Sequence, residues 1–206
     1  MKTIHIFGGG GHSFALVELI RSLGLYEPKA ILDKNPSRKN VLGVPVLLKE
    51  GNSHSTEHAA IAIGNNKNRK KVANSITVPC PNFVHKSAVV YPSVQLGKGV
   101  QVLPNAVVDA DVRLGDFTIV NNNASVSHNC IIGNFCHIAI NTAISGGCTI
   151  GEGTLVGAGS VILPELNVGK WAVIGAGSVV TKDVPDFATV YGNPAQIIRK
   201  ETLNGQ

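Results

Sequence analysis

The stretch VSHNCIIGNFCHIAINTAISGGCTI, residues 126–150, decides the fold. An aliphatic residue stands at its first position and at every sixth position after it. The same spacing holds from Val84 to Val180 without a slip, over seventeen hexads. The fourth residue after each aliphatic is usually small, as at Ala124 and Cys130, and a glycine often follows the aliphatic directly.

This period of six predicts a parallel β-helix. It matches neither the 3.6-residue period of an α-helix nor the two-residue period of a free strand, but it fits short strands joined by tight corners, three to a coil. Each aliphatic then points to the axis, and the small residues fit the corners. Cys130, Cys136 and Cys148 are therefore predicted to pack inward. Seventeen hexads give between five and six coils, so the repeat forms a domain by itself.

The first 78 residues follow a different pattern, in which strands alternate with helices and a glycine-rich loop. Strand, loop, helix and strand predict a small parallel βαβ unit of the α/β class, about half of a dinucleotide-binding fold. The predicted strands are Lys2–Phe7, 29–32 and 59–63, and the predicted helices are Ser13–Leu23 and 67–74.

Pro79 and Pro81 mark the junction between the two halves. The predicted division is a βαβ domain at 1–78, a β-helix domain at 79–198 and a C-terminal tail at 199–206.

Composition argues against several classes of protein. The net charge of +5 suits anionic small molecules, but no dense Lys/Arg stripe interleaved with aromatic residues points to nucleic acid. The four cysteines show no metal-type spacing, and no segment approaches the roughly 20 apolar residues of a membrane span. The N terminus also lacks the apolar run of a signal peptide. We therefore expect a soluble cytoplasmic protein without a nucleic-acid or membrane partner.

The loop Gly8–His12 is the first candidate site. It opens a helix after a strand, so its backbone N–H groups and the positive end of the helix suit a phosphate. Asp33, at the end of the second strand, can accept from a ribose hydroxyl or a base N–H, or can be a turn residue. Asn65, Asn66 and Arg69 follow the third strand and can converge on the same ligand, although Asn66 can equally cap the next helix.

His128 and His137 are the candidate residues of the repeat. His128 lies two residues past an inward aliphatic, so its imidazole should point outward. His137 follows half a coil later, on a different edge, so the two rings cannot meet within one chain. They can face each other if β-helices pack side by side around a threefold axis. An outward histidine is otherwise an ordinary surface residue.

Six ordered segments span nearly the whole chain: IFGGGGH at 6–12, AIGNN at 62–66 with Arg69-Lys70-Lys71 after it, VHKSA at 84–88, VSHNC at 126–130, GNFCH at 133–137 and GNPA at 192–195. In these segments the chain resembles the bacterial hexapeptide-repeat sugar acetyltransferases that carry an N-terminal nucleotide-sugar-binding domain. That branch includes the nucleotide-sugar 4-amino N-acetyltransferases and the sialic acid O-acetyltransferase relatives.

The resemblance implies a left-handed parallel β-helix, a homotrimer, acetyl-CoA bound between neighbouring subunits, and no metal. It implies acetyl transfer to the amino group of a nucleotide-linked sugar of the 4-amino-4,6-dideoxy type, with His128 as general base beside Asn129. For acetyl-CoA, the resemblance implies His137 near the thioester, the N–H of Gly146 at the acetyl carbonyl, and the N–H groups of Ala158 and Ala176 at the pantetheine amides. For the nucleotide, it implies contacts from Gly10, Gly11, His12, Asp33, Asn65, Asn66 and Arg69.

Asn129 departs from the family pattern. Much of the family has an acidic residue after the catalytic histidine, which orients the imidazole and supports its protonated form. An amide can hold a tautomer but cannot offset the charge of an imidazolium. We expect either that His128 is a weaker base than in those relatives or that another carboxylate substitutes.

Three other functions stay open at this point. Sugar O-acetylation would use the same outward histidine and CoA. A zinc hydratase would need three histidine ligands, and the repeat offers His85, His128 and His137, with His85 more than two coils away. A non-catalytic scaffold or ligand sensor would cleave no thioester with any sugar.

Overall fold

A computed structural model describes residues 1–49 and 57–200, and it contains the two halves that the sequence predicts. Residues 201–206 of the predicted tail lie outside the described residues. The first half consists of β1 (Lys2–Phe7), α1 (His12–Leu23), β2 (Tyr26–Asp33), β3 (Asn40–Val41), β4 (Val44–Leu48), β5 (Ala59–Ile61) and α2 (Asn66–Ala73).

The N-terminal sheet has the strand order β3-β4-β2-β1-β5. Strands β1, β2, β4 and β5 are parallel, and β3 pairs with β4 in an antiparallel hairpin. The apolar faces of β1 and α1 meet in a core that includes Ile4, Ile6 and Leu16. The predicted βαβ unit is confirmed. The hairpin was not predicted, because β3 has only two residues and its turn rests on positive φ at Leu42 and Gly43.

The second half is a parallel β-helix of two-residue strands that ends in an antiparallel pair. The strands are β6 (Phe83–Val84), β7 (Val89–Val90), β8 (Gln95–Leu96), β9 (Gln101–Val102), β10 (Val107–Val108), β11 (Arg113–Leu114), β12 (Ile119–Val120), β13 (Ser125–Val126), β14 (Ile131–Ile132), β15 (His137–Ile138), β16 (Ala143–Ile144), β17 (Thr149–Ile150), β18 (Leu155–Val156), β19 (Val161–Ile162), β20 (Asn167–Val168), β21 (Val173–Ile174), β22 (Val179–Val180), β23 (Ala188–Gly192) and β24 (Ala195–Lys200).

Three sheets form the faces of a triangular prism. The first face holds β6, β9, β12, β15, β18 and β21, continued by β23 and β24; the second holds β7, β10, β13, β16, β19 and β22; the third holds β8, β11, β14, β17 and β20. From β6 to β22, paired strands within a face are eighteen residues apart, as Val108 is from Val126 and Val126 from Ile144. The last parallel pair, β21 with β23, is sixteen residues apart. Eighteen residues are three hexads, so the predicted coil of three hexads is confirmed.

The repeat fixes both the core and the corners. The second residue of each strand faces the axis, and Cys130, Cys136 and Cys148 are fully buried there, which confirms their predicted packing role. The third residue of most corners has a positive φ, which explains why asparagine, aspartate or glycine often stands there. Phe117, Phe135 and Trp171 occupy this position with φ of 54° to 57°, on the corner between the third and first faces.

The N-terminal domain packs on the first face of the prism. The outward residues Phe83 and Ile119 of this face share a buried apolar cluster with the N-terminal domain. Gln101 Nε2 donates to the carbonyl of Ile61 at 2.8 Å. The ring of His137 lies against Gly64, with 3.2 Å between Nδ1 and the carbonyl oxygen. The N-terminal loops are therefore held at a fixed place on this face.

Within the described residues, neither helix combines the length and apolar character that a bilayer span requires.

Candidate active site

A cavity of about 840 Å³ lies at the carboxyl ends of β1, β2 and β5, where ligands bind in open α/β sheets. Four of the predicted nucleotide-binding residues line it: Gly10, Gly11, His12 and Asp33. An added Cβ at Gly10 or Gly11 would meet no atom within 4 Å, so the start of α1 faces open space. The cavity is therefore placed where the N-terminal helix dipole can act on an anion.

Three lysines also line the cavity: Lys34, Lys49 and Lys71. Sequence reasoning did not select them, because an isolated lysine in a loop or on a helix is usually a solvated surface residue. The topology brings them together from the loop after β2, the end of β4 and helix α2. Three ammonium groups near a helix N terminus suit a ligand with two phosphates.

Asp33 is held by its own chain. Its Oδ2 accepts from the N–H of Gly9 at 2.6 Å, and its Oδ1 accepts from the N–H of Asn35 at 2.9 Å. These bonds fix the carboxylate at the rim of the cavity, and each oxygen keeps a further lone pair for a donor on the ligand.

His12 is fixed as one tautomer. Because Gln101 Nε2 donates to the Ile61 carbonyl, Gln101 Oε1 faces His12 Nε2 at 2.8 Å and accepts its hydrogen. Burial lowers the pKa of His12, and this effect is larger than that of the hydrogen bond to Gln101, which raises the pKa. The ring is therefore neutral at pH 7, and Nδ1 is left as an acceptor.

His137 lies in the seam between the two domains, with its ring centroid 6.3 Å from that of His12. Asn121 Oδ1 accepts from the N–H of Asn122, so Asn121 Nδ2 donates to His137 Nε2 at 3.1 Å. Burial, together with the nearby charge of Arg69, lowers the pKa of His137 to about 4. The neutral ring uses both nitrogens within its own chain and forms a wall rather than an open acid or base.

Asn65, Asn66 and Arg69, which the resemblance places around the nucleotide, are not among the residues that line the cavity. Asn65 is the N-cap of α2, where its Oδ1 accepts from the N–H of Asn68 at 2.9 Å. Asn66, which was the alternative capping residue, is buried and donates from Nδ2 to the carbonyl of Gly153.

Arg69 is completely buried and joins the two domains. Burial lowers its pKa to about 10, so the guanidinium stays protonated at neutral pH. Its six hydrogen bonds explain why it faces the prism rather than the ligand cavity. The acceptors are the carbonyls of Ile63, Gly64, Phe117, Phe135 and Cys136 and the side-chain oxygen of Asn66, all at 2.8 to 3.0 Å.

His128 is exposed on the corner between the second and third faces. Its Nδ1 lies 2.9 Å from Asn129 Oδ1. The ring covers Gly146 of the next coil: a Cβ there would stand 2.5 Å from His128 Cε1 and 2.8 Å from Nε2. Gly146 therefore gives the imidazole the space in which it lies.

Three backbone N–H groups that the resemblance assigns to acetyl-CoA make no hydrogen bond within the described residues. They belong to Gly146, on the same corner as His128, and to Ala158 and Ala176, which stack one coil apart on the corner between the first and second faces. Unused donors on a rigid corner can serve a carbonyl or amide ligand without reorganisation.

Alanine at Gly146 is expected to displace the imidazole of His128, because its Cβ would overlap the ring. If His128 is the general base, as the resemblance implies, kcat for acetyl transfer should fall about 10- to 100-fold, the usual effect of an ångström-scale misplacement of such a group. The exposed ring can swing aside, so the thermal midpoint should change little. Steady-state kinetics with a thermal melt checks this, and an unchanged kcat would show that the ring's position over Gly146 is irrelevant.

A prism of hexapeptide repeats with an α/β domain packed on one face is the architecture that the family comparisons identify. The family model of the PglD N-terminal domain matches residues 3–76, and the model of the bacterial transferase hexapeptide (six repeats) matches 129–164 and 147–182. Together the two models cover most of the chain.

Similar solved structures belong to one group of hexapeptide-repeat enzymes, the nucleotide-sugar N-acetyltransferases. A histidine-to-asparagine variant of perosamine N-acetyltransferase from Caulobacter crescentus, in complex with CoA and GDP-perosamine, is 35% identical over 97% of this chain and 98% of its own, with a TM-score of 0.90. The acetyltransferase domain of PglB from Neisseria gonorrhoeae, in complex with acetyl coenzyme A, is 32% identical over 96% of this chain and 99% of its own, with a TM-score of 0.87.

WeeI from Acinetobacter baumannii is 27% identical over 96% of this chain and 100% of its own, with a TM-score of 0.75. A search of the curated proteins gives no match. The chain belongs to the nucleotide-sugar amino N-acetyltransferase family of hexapeptide-repeat enzymes, and the left-handed β-helix of the sequence prediction is confirmed.

Proposed function

We propose that this protein transfers the acetyl group of acetyl-CoA to the amino group of a nucleotide-linked amino sugar of the 4-amino-4,6-dideoxy type. The observation that carries the proposal is the joint likeness of both halves of the chain to the perosamine enzyme, whose structure holds CoA and GDP-perosamine. The cavity beside α1 adds the chemistry of a nucleotide site, with three lysines and a helix N terminus for the diphosphate.

The position of His128 supports an active site made by two copies of the chain. The N-terminal cavity lies on the first face of the prism, whereas His128 lies on the opposite corner, between the second and third faces. A triangular prism cannot bring a face to the corner opposite it. We therefore place His128 of one copy beside the cavity of its neighbour, in a homotrimer.

The same arrangement divides the acetyl-CoA contacts between two copies. Gly146 shares the corner of His128, while Ala158 and Ala176 lie on the edge of the face that carries the N-terminal domain. In the proposed trimer, Gly146 and His128 of one subunit face Ala158 and Ala176 of the next. His137 separates this groove from the nucleotide cavity.

The mechanism is direct transfer. A sugar amine is mostly ammonium at neutral pH, so it first loses one proton to solvent. The neutral nitrogen then attacks the thioester carbon while His128, as general base, takes a second proton from it. The N–H of Gly146 stabilises the oxyanion that forms. When the carbon–sulfur bond breaks, the imidazolium returns the proton to the leaving thiolate. Because both substrates are held together, no acyl-enzyme is needed.

We place the reaction in the cytoplasm. The four cysteines are free in the structure, which suits a reducing compartment.

A thiol-release assay across nucleotide-linked sugars tests the proposed function. With acetyl-CoA, we expect CoA release with 4-amino-4,6-dideoxy acceptors and none with the matching 4-hydroxy sugars, which serve as controls. Release with the hydroxy sugars alone would show an O-acetyltransferase. No release with any acceptor would favour a non-catalytic sensor.

A further inference from the structure

The repeat places a carboxylate one coil below the residue that follows His128. Asp111 and Asn129 are eighteen residues apart and stand at the same corner position, with φ of 58° and 57°. Strands β11 and β14, which follow the two residues, pair in register, so the two corners stack. Asn129 Nδ2 lies 2.9 Å from Asp111 Oδ2, and Asn129 Oδ1 lies 2.9 Å from His128 Nδ1. The three side chains form one continuous chain of hydrogen bonds.

The direction of these hydrogen bonds is determined by Asp111. An ionised carboxylate can only accept, so the NH₂ end of Asn129 must face Asp111 and its oxygen must face His128. The oxygen of an amide can only accept, so His128 Nδ1 must carry the hydrogen. His128 Nε2 is then the unprotonated nitrogen, as a general base requires.

We propose that Asp111, acting through Asn129, is the positioning residue that selects the Nδ1–H tautomer of His128 and supports its protonated form during transfer. It takes the place of the acidic residue that the chain lacks at position 129. The proposal rests on the proposed function, in which His128 is the base.

Other charged groups stand around this corner. Asp109 lies in the same turn as Asp111, and its Oδ1 accepts from the N–H of Ala110. Glu165 lies in the same column two coils above Asn129, with its Cγ 3.3 Å from the place a Cβ would take at Gly147. Arg113, two residues after Asp111, lies on β11 and is exposed. Among the carboxylates of the described residues, Asp111 is the one that hydrogen-bonds to Asn129.

The test compares Asp111→Asn with Asp109→Asn, which removes a neighbouring charge that Asn129 does not contact. In Asp111→Asn we expect kcat to fall about 3- to 10-fold with KM unchanged, because an amide no longer dictates the orientation of Asn129. Asp109→Asn should not lower kcat to this extent.

Two further measurements separate positioning from a structural role. Nitrogen-15 shifts of neutral His128 should report the Nδ1–H tautomer in the unmodified protein and a mixture in Asp111→Asn. The double variant Asp111→Asn/Asn129→Asp should recover kcat to within about twofold, because the carboxylate introduced after His128 would then accept directly from Nδ1.

The proposal is overturned if Asp111→Asn keeps both the tautomer and kcat, or if Asp109→Asn lowers kcat and changes the tautomer equally. If the unmodified protein acetylates no acceptor, the proposed function fails, and the nitrogen-15 shifts still decide whether Asp111 selects the tautomer.

Discussion

Alanine in place of His128 is expected to lower kcat for acetyl transfer by about 10²- to 10⁴-fold, the usual contribution of a general base. The imidazole lies over Gly146 of the next coil, and its Nδ1 is 2.9 Å from Asn129 Oδ1. Without the imidazole, the attacking amine has no base to take its proton. The KM values should change little, because nucleotide and pantetheine are held by other groups.

The fold should survive this change, because His128 is exposed and contributes nothing to the axial core. His85→Ala is the matched control, since His85 is also an outward histidine on a corner and bonds to Ser87. Thiol release with the best acceptor is the measurement. Raising the pH should partly restore the rate of His128→Ala, because more of the amine is then free. A fall smaller than about tenfold would mean that another residue is the base.

Replacing Arg69 with methionine is expected to destabilise the protein by about 3 to 5 kcal/mol, because several buried carbonyls would each lose a partner at a cost of about 1 to 3 kcal/mol apiece. Its guanidinium is buried and makes six hydrogen bonds, and the carbonyls of Phe117 and Phe135 accept two of them from adjacent coils of one corner. Methionine fills part of the volume but leaves these acceptors unpaired. At fixed protein concentration the thermal midpoint should fall by about 10 °C.

Lys67→Met is the control for Arg69→Met, because Lys67 lies on the same helix and is exposed. Lysine at position 69 should recover little, since one ammonium cannot reproduce the planar fork of five donors. The loss should also raise KM for the nucleotide sugar, because α2 carries Lys71 into the cavity. Equal midpoints for Arg69→Met and Lys67→Met would contradict the role of Arg69 as the joint between the domains.

The packing of α2 against this corner also explains why aromatic residues occupy left-handed backbone positions there. Phe117 and Phe135 stack with 5.5 Å between their ring centroids, and Lys70 lies over Phe135 and Trp171. The Trp171 ring covers Gly153, where a Cβ would stand 2.3 Å from it. The rings thus form a surface for α2 next to the carbonyls that Arg69 and Asn66 bind. The strain of three positive φ angles is offset by contact between the domains.

Much of the β-helix follows from sequence because its period is local. A residue's position within the hexad determines whether its side chain faces the axis. Counting eighteen residues back from Asn129 leads to Asp111, the residue at the same corner position one coil earlier. The sequence thus contains the position of Asp111, but only the structure shows that its carboxylate reaches Asn129. The expectation that another carboxylate substitutes for the missing acid named no residue, whereas the structure supplies Asp111 as the candidate.

The nucleotide cavity was predicted only in part, for a physical reason. Gly10, Gly11 and His12 belong to one loop, so a motif reveals them. Lys34 and Lys49 meet only after β2 and β4 pair, and nothing local marks that pairing. Arg69 shows the same limit: its place after the third strand predicted a contact with the ligand, yet three of its acceptors are corner carbonyls distant in sequence. Which way a side chain faces across a domain seam is a tertiary property.

The most direct test of the account is a crystal structure of the protein with CoA and its nucleotide-linked amino sugar. We predict a trimer in which the sugar nitrogen lies within about 3.2 Å of His128 Nε2 of the adjacent subunit, or one water away, with the nucleotide in the cavity beside α1. A sugar nitrogen far from every His128 ring, or a nucleotide outside that cavity, would contradict it.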